Sequence, residues 1–389
     1  MCMDLSKDEE TLVNHTAIND SSNTEELIST GEMTVTVFKT ILMFTIMAGA
    51  VFGNILVVIA VMKFERLRAI TNYFIVSLAF ADLLVAVLVM PFNASIEITG
   101  KWQFGRLMCD VYNSNDVLFS TASILHLCCI SMDRYIAIMH PFKYESEMTK
   151  FRVFIMLGIT WISSILISYI PIQLHWYTTL DTLQEMDRKP NDCQFAVNKV
   201  YAIVSSSISF WIPCTIMVFV YLKIFIEARR QETQIKNSGY QIKATYRSSE
   251  IDALQDDIPE QRNERKRMRR EHKAAKTLGV IMGAFVFCFL PFFSWYLITT
   301  LCGDKCPFPV FLVPTLFWLG YFNSCLNPII YAYFNRDFRS AFKKLLNCKH
   351  LLGNQSDPSF LAAGQFESRE QIVQMKLETQ YSKGRKTCL

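Results

Sequence analysis

The stretch from Cys109 to His140 is mostly apolar, yet it carries charge near both ends. Near its start stands a carboxylate, Asp116, and near its end the triplet Asp133-Arg134-Tyr135. A charge inside a hydrocarbon-spanning helix costs at least ~2.5–3.5 kcal/mol on insertion scales, so such a residue marks function. On a helix rising 1.5 Å per residue, Asp116 and Arg134 lie ~27 Å apart, about the hydrocarbon thickness of a bilayer. One helix then links an anion near one membrane face to a cation at the other. The chemistry expected at Asp116 is the pairing of an external cation. The apolar segments offer it no obvious basic partner at that depth, and Lys39 falls at the membrane edge, where it can snorkel.

Aromatic residues on three later segments could line such a site: Phe210, then Phe289, Phe292, Phe293 and Tyr296, then Phe317, Trp318 and Tyr321. Aromatic faces attract ammonium groups, although each ring serves equally well as an ordinary core or lipid-facing residue. Ser205, Ser206 and Ser209 form a hydroxyl cluster in which 205 and 209 lie one helical turn apart, a spacing suited to a phenol. Small hydroxyl residues also simply let membrane helices approach. Asp82, Asn54, Asn323 and Asn327 are polar residues at middle depth, and buried polar groups need partners. A shared network with water and a small cation satisfies all of them. At the opposite end, an ion pair between Arg134 and Glu271 would clamp two helices, the plainer reading being that Arg134 obeys the inside bias of basic residues.

These residues must be positioned by membrane helices. Only 19% of the 389 residues are charged and 51% are hydrophobic, against ~25% charged for an ordinary soluble protein. Seven apolar segments, roughly 38–62, 71–97, 107–139, 152–174, 197–228, 269–300 and 309–333, are each long enough to span. Basic residues crowd alternate loops (Lys63, Arg66 and Arg68; Lys143, Lys150 and Arg152; the run from Arg265 to Arg270), which places the N-terminus outside. The polar tail 1–37 then carries Asn14 and Asn19, two glycosylation sequons, on the outer side. Cys109 and Cys193 also fall outside, where an oxidising medium permits a bridge, and Cys302 and Cys306 flank a short outer turn as a second candidate pair. The seven-span domain is expected over 38–346, with a flexible cytoplasmic loop at about 231–266 and a cytoplasmic tail over 347–389. After the last span, Phe338, Phe342 and Leu345 share one face of a short amphipathic helix suited to the inner membrane surface and its lipids. Cys348 beside it is a candidate palmitoylation site, and Thr387-Cys388-Leu389 resembles a PDZ-domain ligand. No phosphate loop, dinucleotide fingerprint, Cys/His zinc spacing or nucleophile–base pair stands out, so neither an enzyme nor a nucleic-acid binder is expected.

Taken together, the chain resembles the biogenic-amine group of rhodopsin-like G-protein-coupled receptors over about residues 38–348. The resemblance is carried by Gly53-Asn54, Leu78-Ala79-Phe80-Ala81-Asp82, Asp133-Arg134-Tyr135, Trp161, Phe210 to Pro213, Phe289-Leu290-Pro291-Phe292-Phe293 and Asn327-Pro328-Ile329-Ile330-Tyr331. It implies an amine-pairing Asp116, with Val117 and the aromatic set above as ligand contacts, and Ser205, Ser206 and Ser209 as phenol contacts. It also implies a sodium pocket of Asp82, Ser123, Asn323 and Asn327, an outer Cys109–Cys193 bridge, and a switch that includes Tyr331. Stretches such as Thr121 to Ser131, Ile203 to Pro213 and Gly320 to Ser324 resemble arthropod β-adrenergic-like octopamine receptors. That subgroup implies coupling to the stimulatory G protein, a rise in cyclic AMP, and arrestin and a receptor kinase as partners. Two departures stand out. Phe289 replaces the group's usual Trp, and Tyr296 and Phe317 stand where vertebrate β-adrenergic receptors place Asn, so the usual anchor for a β-hydroxyl is missing.

The expected fold is an all-α membrane protein, a seven-transmembrane helix bundle with a short amphipathic helix after the seventh span. The expected function is a plasma-membrane receptor for a protonated amine, octopamine first, with tyramine, dopamine or serotonin as alternatives. No cofactor is expected beyond an allosteric sodium ion. An organic-cation transporter or channel is the competing class; seven spans and the absence of an internal repeat argue against it.

Overall fold

The computed structural model describes residues 6–189, 191–246, 259–309 and 311–347, with side chains described from Met33 onward outside parts of 228–278 and a few further positions. The chain divides into two compact units, Met1–Phe342 and Lys343–Leu389. In the second, 343–347 alone is described.

Helix α1 runs Ser6–Lys63, followed by α2 (Asn72–Leu88), α3 (Met90–Thr99), α4 (Gly105–Met139), α5 (Pro141–Glu147), α6 (Lys150–Gln173) and α7 (Leu180–Arg188). Then come α8 (Lys199–Ser206), a π-helical turn (Ser207–Trp211), α9 (Ile212–Tyr246), α10 (Pro259–Cys302), α11 (Leu312–Phe334) and α12 (Arg336–Leu346). Among the described residues six helical stretches have the length and apolar composition to cross a membrane: Met33–Lys63, Asn72–Thr99, Gly105–Met139, Lys150–Gln173, Lys199–Glu227 and Gly279–Cys302. The seventh span is α11, whose Asn323, Asn327, Pro314 and Pro328 dilute its apolar character. Phenylalanines and isoleucines such as Phe44, Phe52, Phe154, Ile159 and Phe219 stand exposed on the outer faces of these helices. Lipid is the medium in which such a girdle is stable.

Helix continues into two stretches whose polarity reads as tail and loop. The backbone is helical from Ser6 through the N-terminal tail, where no proline interrupts it. Within 231–266, α9 persists to Tyr246 and α10 begins at Pro259, because Gln, Glu, Lys and Arg are good helix formers even without an apolar face.

Local chemistry explains the breaks that matter. Pro91 supplies no N–H to the preceding turn, so the second span divides at Val89 into α2 and α3, and α3 ends on Gly100 in the left-handed conformation at φ 69°. Pro213 cannot donate to the carbonyl of Ser209, and the turn ahead of it widens to π spacing. Gly53 lets α1 meet α11 closely, since a Cβ there would stand 2.8 Å from Pro328. Helix α4 packs against α2, α6 and α9 and so occupies the middle of the bundle. Buried polar ties hold it there. Trp161 Nε1 donates to Ser77 Oγ at 3.1 Å, and Ser77 meets His126 Nε2 at 2.7 Å, while His126 Nδ1 lies 2.6 Å from the Ala122 carbonyl. A neutral imidazole satisfies both contacts at once. The amphipathic helix after the seventh span is present as α12, with Phe338, Ala341 and Phe342 buried and Asn335 Oδ1 accepting from the amide of Asp337 at 3.0 Å.

Candidate functional site

Between the outer halves of the helices lies a cavity of about 570 Å³. Asp116 and Val117 reach it from α4, Ser205 from α8, Ser209 from the π turn, Phe289, Phe292, Phe293 and Tyr296 from α10, and Phe317 and Tyr321 from α11. Ten of the residues expected to contact a ligand thus meet in one place. Ser206 and Phe210 stand behind the wall. Ser206 is buried and its hydroxyl donates to the Ile203 carbonyl at 3.3 Å, while Phe210 is fully buried and stacks on Phe293 at 4.5 Å between centroids. Ser205 and Ser209, four residues apart, share the cavity face.

The electrostatics of the cavity are one-sided. Asp116 and Glu97 both line it, and among the described residues no Lys, Arg or His does. No described basic side chain forms an ion pair with Asp116. The rings make a continuous aromatic wall, with Phe292 against Phe317 at 5.0 Å, Phe293 at 5.3 Å and Tyr296 at 6.1 Å. A carboxylate facing aromatic surfaces suits a cation. The hydroxyls at the far end are partly engaged already. Thr121 Oγ1 donates to Ser209 Oγ at 2.9 Å, and Ser205 Oγ lies 3.5 Å from the Tyr296 hydroxyl.

The outer bridge Cys109–Cys193 is formed, with Cα atoms 5.7 Å apart, and it holds the loop that contributes Cys193, Gln194, Phe195 and Ala196 to the cavity. Cys302–Cys306 is formed as well.

Below the cavity Asp82 is wholly buried. Its carboxylate accepts from Ser123 at 3.1 Å, Ser324 at 3.1 Å and Asn327 at 2.9 Å. Asn323 does not join this group, and its Nδ2 has no partner. Asp82 makes no ion pair with a described basic residue, so its charge is uncompensated and a monovalent cation fits the carboxylate and hydroxyl oxygens around it. Ser324, rather than Asn323, is the fourth member of that oxygen-rich set.

At the inner end Asp133 is also fully buried. It accepts from Tyr144 at 2.8 Å, from Thr71 at 3.0 Å and from Arg134 Nε at 2.9 Å. The Arg134 guanidinium also meets the Thr71 hydroxyl, and it lies 3.4 Å from that of Tyr144. Arg134 is therefore paired to its own neighbour. The side chain of Glu271, expected as its clamp partner, lies outside the described residues. Tyr135 makes none of these bonds, and the ring of Tyr331 stacks on Phe338 at 5.4 Å. Asn14, Asn19 and Cys348 also lie outside the described side chains.

Sequence reasoning passed over Asn93, Glu97, Tyr112 and Thr121 in the cavity, Ser324 below it, and Thr71 and Tyr144 at the inner end. Asn93 and Glu97 were the findable pair. They are polar residues four apart in an apolar span, directly after a proline.

Residues 53–331 match the family model described as 7 transmembrane receptor (rhodopsin family). The chain is a rhodopsin-family receptor. As such it is a multi-pass protein of the plasma membrane and not an enzyme. The receptor is 52% identical over 340 residues to the octopamine receptor beta-2R of Chilo suppressalis, a match covering 82% of each chain. It is 52% identical over 332 residues to the octopamine receptor beta-2R of Drosophila melanogaster, covering 81% of this chain and 62% of that one. A D(5)-like dopamine receptor of Takifugu rubripes is 44% identical over 309 residues, covering 78% of this chain and 65% of that one. The receptor thus spans less than two thirds of the length of some relatives and most of the length of another.

Proposed function

We propose that this receptor binds a protonated phenolic amine, octopamine first, and signals through the stimulatory heterotrimeric G protein to raise cyclic AMP. One observation carries the reading: Asp116 faces an aromatic-walled cavity that holds a second carboxylate and, among the described residues, no basic one. An ammonium pairs with Asp116, and the phenol of the same ligand points towards Ser205 and Ser209 on the opposite wall. The octopamine receptors among its relatives support octopamine, with dopamine as the second reading. The N-terminus faces outward. An agonist that fits the active arrangement better shifts the population towards it, and release of Arg134 opens an inner cleft for the G protein. Arrestin, a receptor kinase and a PDZ protein at Thr387-Cys388-Leu389 are further partners in this reading, and sodium at Asp82 favours the resting arrangement.

The test is a cyclic AMP dose-response panel with octopamine, tyramine, dopamine, serotonin and noradrenaline on wild type and Asp116→Asn. Breaking a buried charge pair costs ~3–5 kcal/mol, so potency should fall at least roughly a hundredfold at ~1.4 kcal/mol per decade. Unchanged potency at equal surface expression would remove Asp116 from the site. Accumulation of labelled amine in vesicles would favour a transporter instead.

A further inference from the structure

The octopamine skeleton differs from that of tyramine by one β-hydroxyl, and Phe289, Phe292, Phe293 and Phe317 on the cavity wall cannot hydrogen-bond to it. The cavity contains a candidate partner elsewhere. Asn93 lines it from α3 and is only 7% exposed. Its Nδ2 donates to the Tyr112 hydroxyl at 3.0 Å, while its Oδ1 is buried with no partner. A buried amide oxygen left unpaired is unfavourable, and with almost no open surface it meets a ligand hydroxyl through a small shift of the Asn93 side chain. Position agrees with this. Tyr112, which fixes the amide, stands one helical turn before Asp116 on α4, so Asn93 lies on the Asp116 side of the cavity. A β-hydroxyl sits one carbon from the ammonium carbon and must be bound on that same side. Pro91 makes the placement, because the break it forces at Val89 starts α3 and carries Asn93 and Glu97 to the cavity wall.

We propose that Asn93 is the specificity-determining residue that accepts a hydrogen bond from the ligand's β-hydroxyl, held in register by Tyr112. The proposal rests on the amine-receptor reading above. Nothing is transferred and no bond breaks; the hydroxyl proton is donated to the Asn93 Oδ1. Because the β-carbon of octopamine is a stereocentre, the same contact makes the receptor prefer one enantiomer.

The experiment measures cyclic AMP potency of the two octopamine enantiomers and of tyramine on cells expressing wild type, Asn93→Leu and Tyr112→Phe at matched surface levels. In wild type the preferred enantiomer should exceed both its mirror image and tyramine. Asn93→Leu should lower the potency of that enantiomer about tenfold, and tyramine less than about twofold, so both preferences collapse. Tyr112→Phe frees the amide to turn and should produce a smaller loss of the same two preferences. That arm decides the matter should Asn93→Leu fail to reach the surface. Equal shifts for octopamine and tyramine, or an intact enantiomer preference in the variants, would overturn the role of Asn93. Failure of the amine reading looks different: wild type would respond to none of these amines, or Asp116→Asn would respond as wild type does.

Discussion

Tyr144→Phe tests the inner cluster with the smallest perturbation available, one oxygen atom. The Tyr144 hydroxyl donates to Asp133 Oδ1 at 2.8 Å, and Asp133 is fully buried. Burial, the largest influence on it, pushes the Tyr144 phenol above its ordinary range, so it keeps its proton and remains a donor at every pH used for cells. A hydrogen bond to a charged group contributes ~1.5–3 kcal/mol. The remaining partners of Asp133, Thr71 at 3.0 Å and Arg134 at 2.9 Å, cannot take over that lone pair without moving. If Arg134 must swing away from Asp133 for a G protein to engage, the bond exists only in the resting arrangement. Its loss then shifts the equilibrium by ~10–100-fold, taking an active fraction of ~0.1–1% to ~1–50%. Basal cyclic AMP, read against surface expression without agonist, should rise accordingly, and Asp133→Asn should raise it further. A flat baseline in Tyr144→Phe alongside a raised one in Asp133→Asn would mean that the Tyr144 bond survives activation. Flat baselines in both would remove the cluster as a restraint.

Ser209 already accepts from Thr121 at 2.9 Å, which leaves its own proton free for a phenol oxygen, whereas Ser205 has only contacts at 3.5 Å. Ser209→Ala should therefore weaken phenolic amines more than Ser205→Ala does, by ~0.5–1.5 kcal/mol, and leave phenethylamine unchanged; equal losses for both ligand types would point to packing. Phe289 is 8% exposed, packs against Phe285 at 5.3 Å, and lies 3.6 Å from where a Cβ on Gly320 would stand. The larger ring of Phe289→Trp needs more room than the present ring, towards the cavity or over Gly320, where an added Cβ would make only ordinary contact. Altered basal or maximal cyclic AMP with a smaller change in affinity is expected, and wild-type values throughout would make 289 a tolerant packing site. Glu271→Ala should raise basal cyclic AMP less than Asp133→Asn does, because the bonds of Arg134 to Asp133, Thr71 and Tyr144 remain in place; a larger rise would make Glu271 the main restraint.

Much of the bundle was legible because its signals are local. An apolar run of twenty residues is a span wherever it occurs, and the asymmetry of Lys and Arg between loops is visible without any contact map. Asp116, Asp82 and Asp133 stood out for the same reason, since a carboxylate in hydrocarbon is costly enough to require an explanation. Amides and hydroxyls give no such signal. Ser205 and Ser209 share a helical face by their spacing, but nothing local says that this face, and not that of Ser206, meets the cavity. Thr71 and Tyr144 come from different connections between spans and acquire a role only when both close on Asp133. Asn93 was an unremarked polar residue until the break at Val89 brought it to the cavity with one oxygen unpaired. Charge therefore marks where the site must be, because its cost is paid in any conformation. The neutral groups Asn93, Ser205 and Ser209 take their meaning from neighbours that only the folded chain supplies. On the proposed role of Asn93, selectivity among octopamine, tyramine and dopamine turns on residues of that neutral kind.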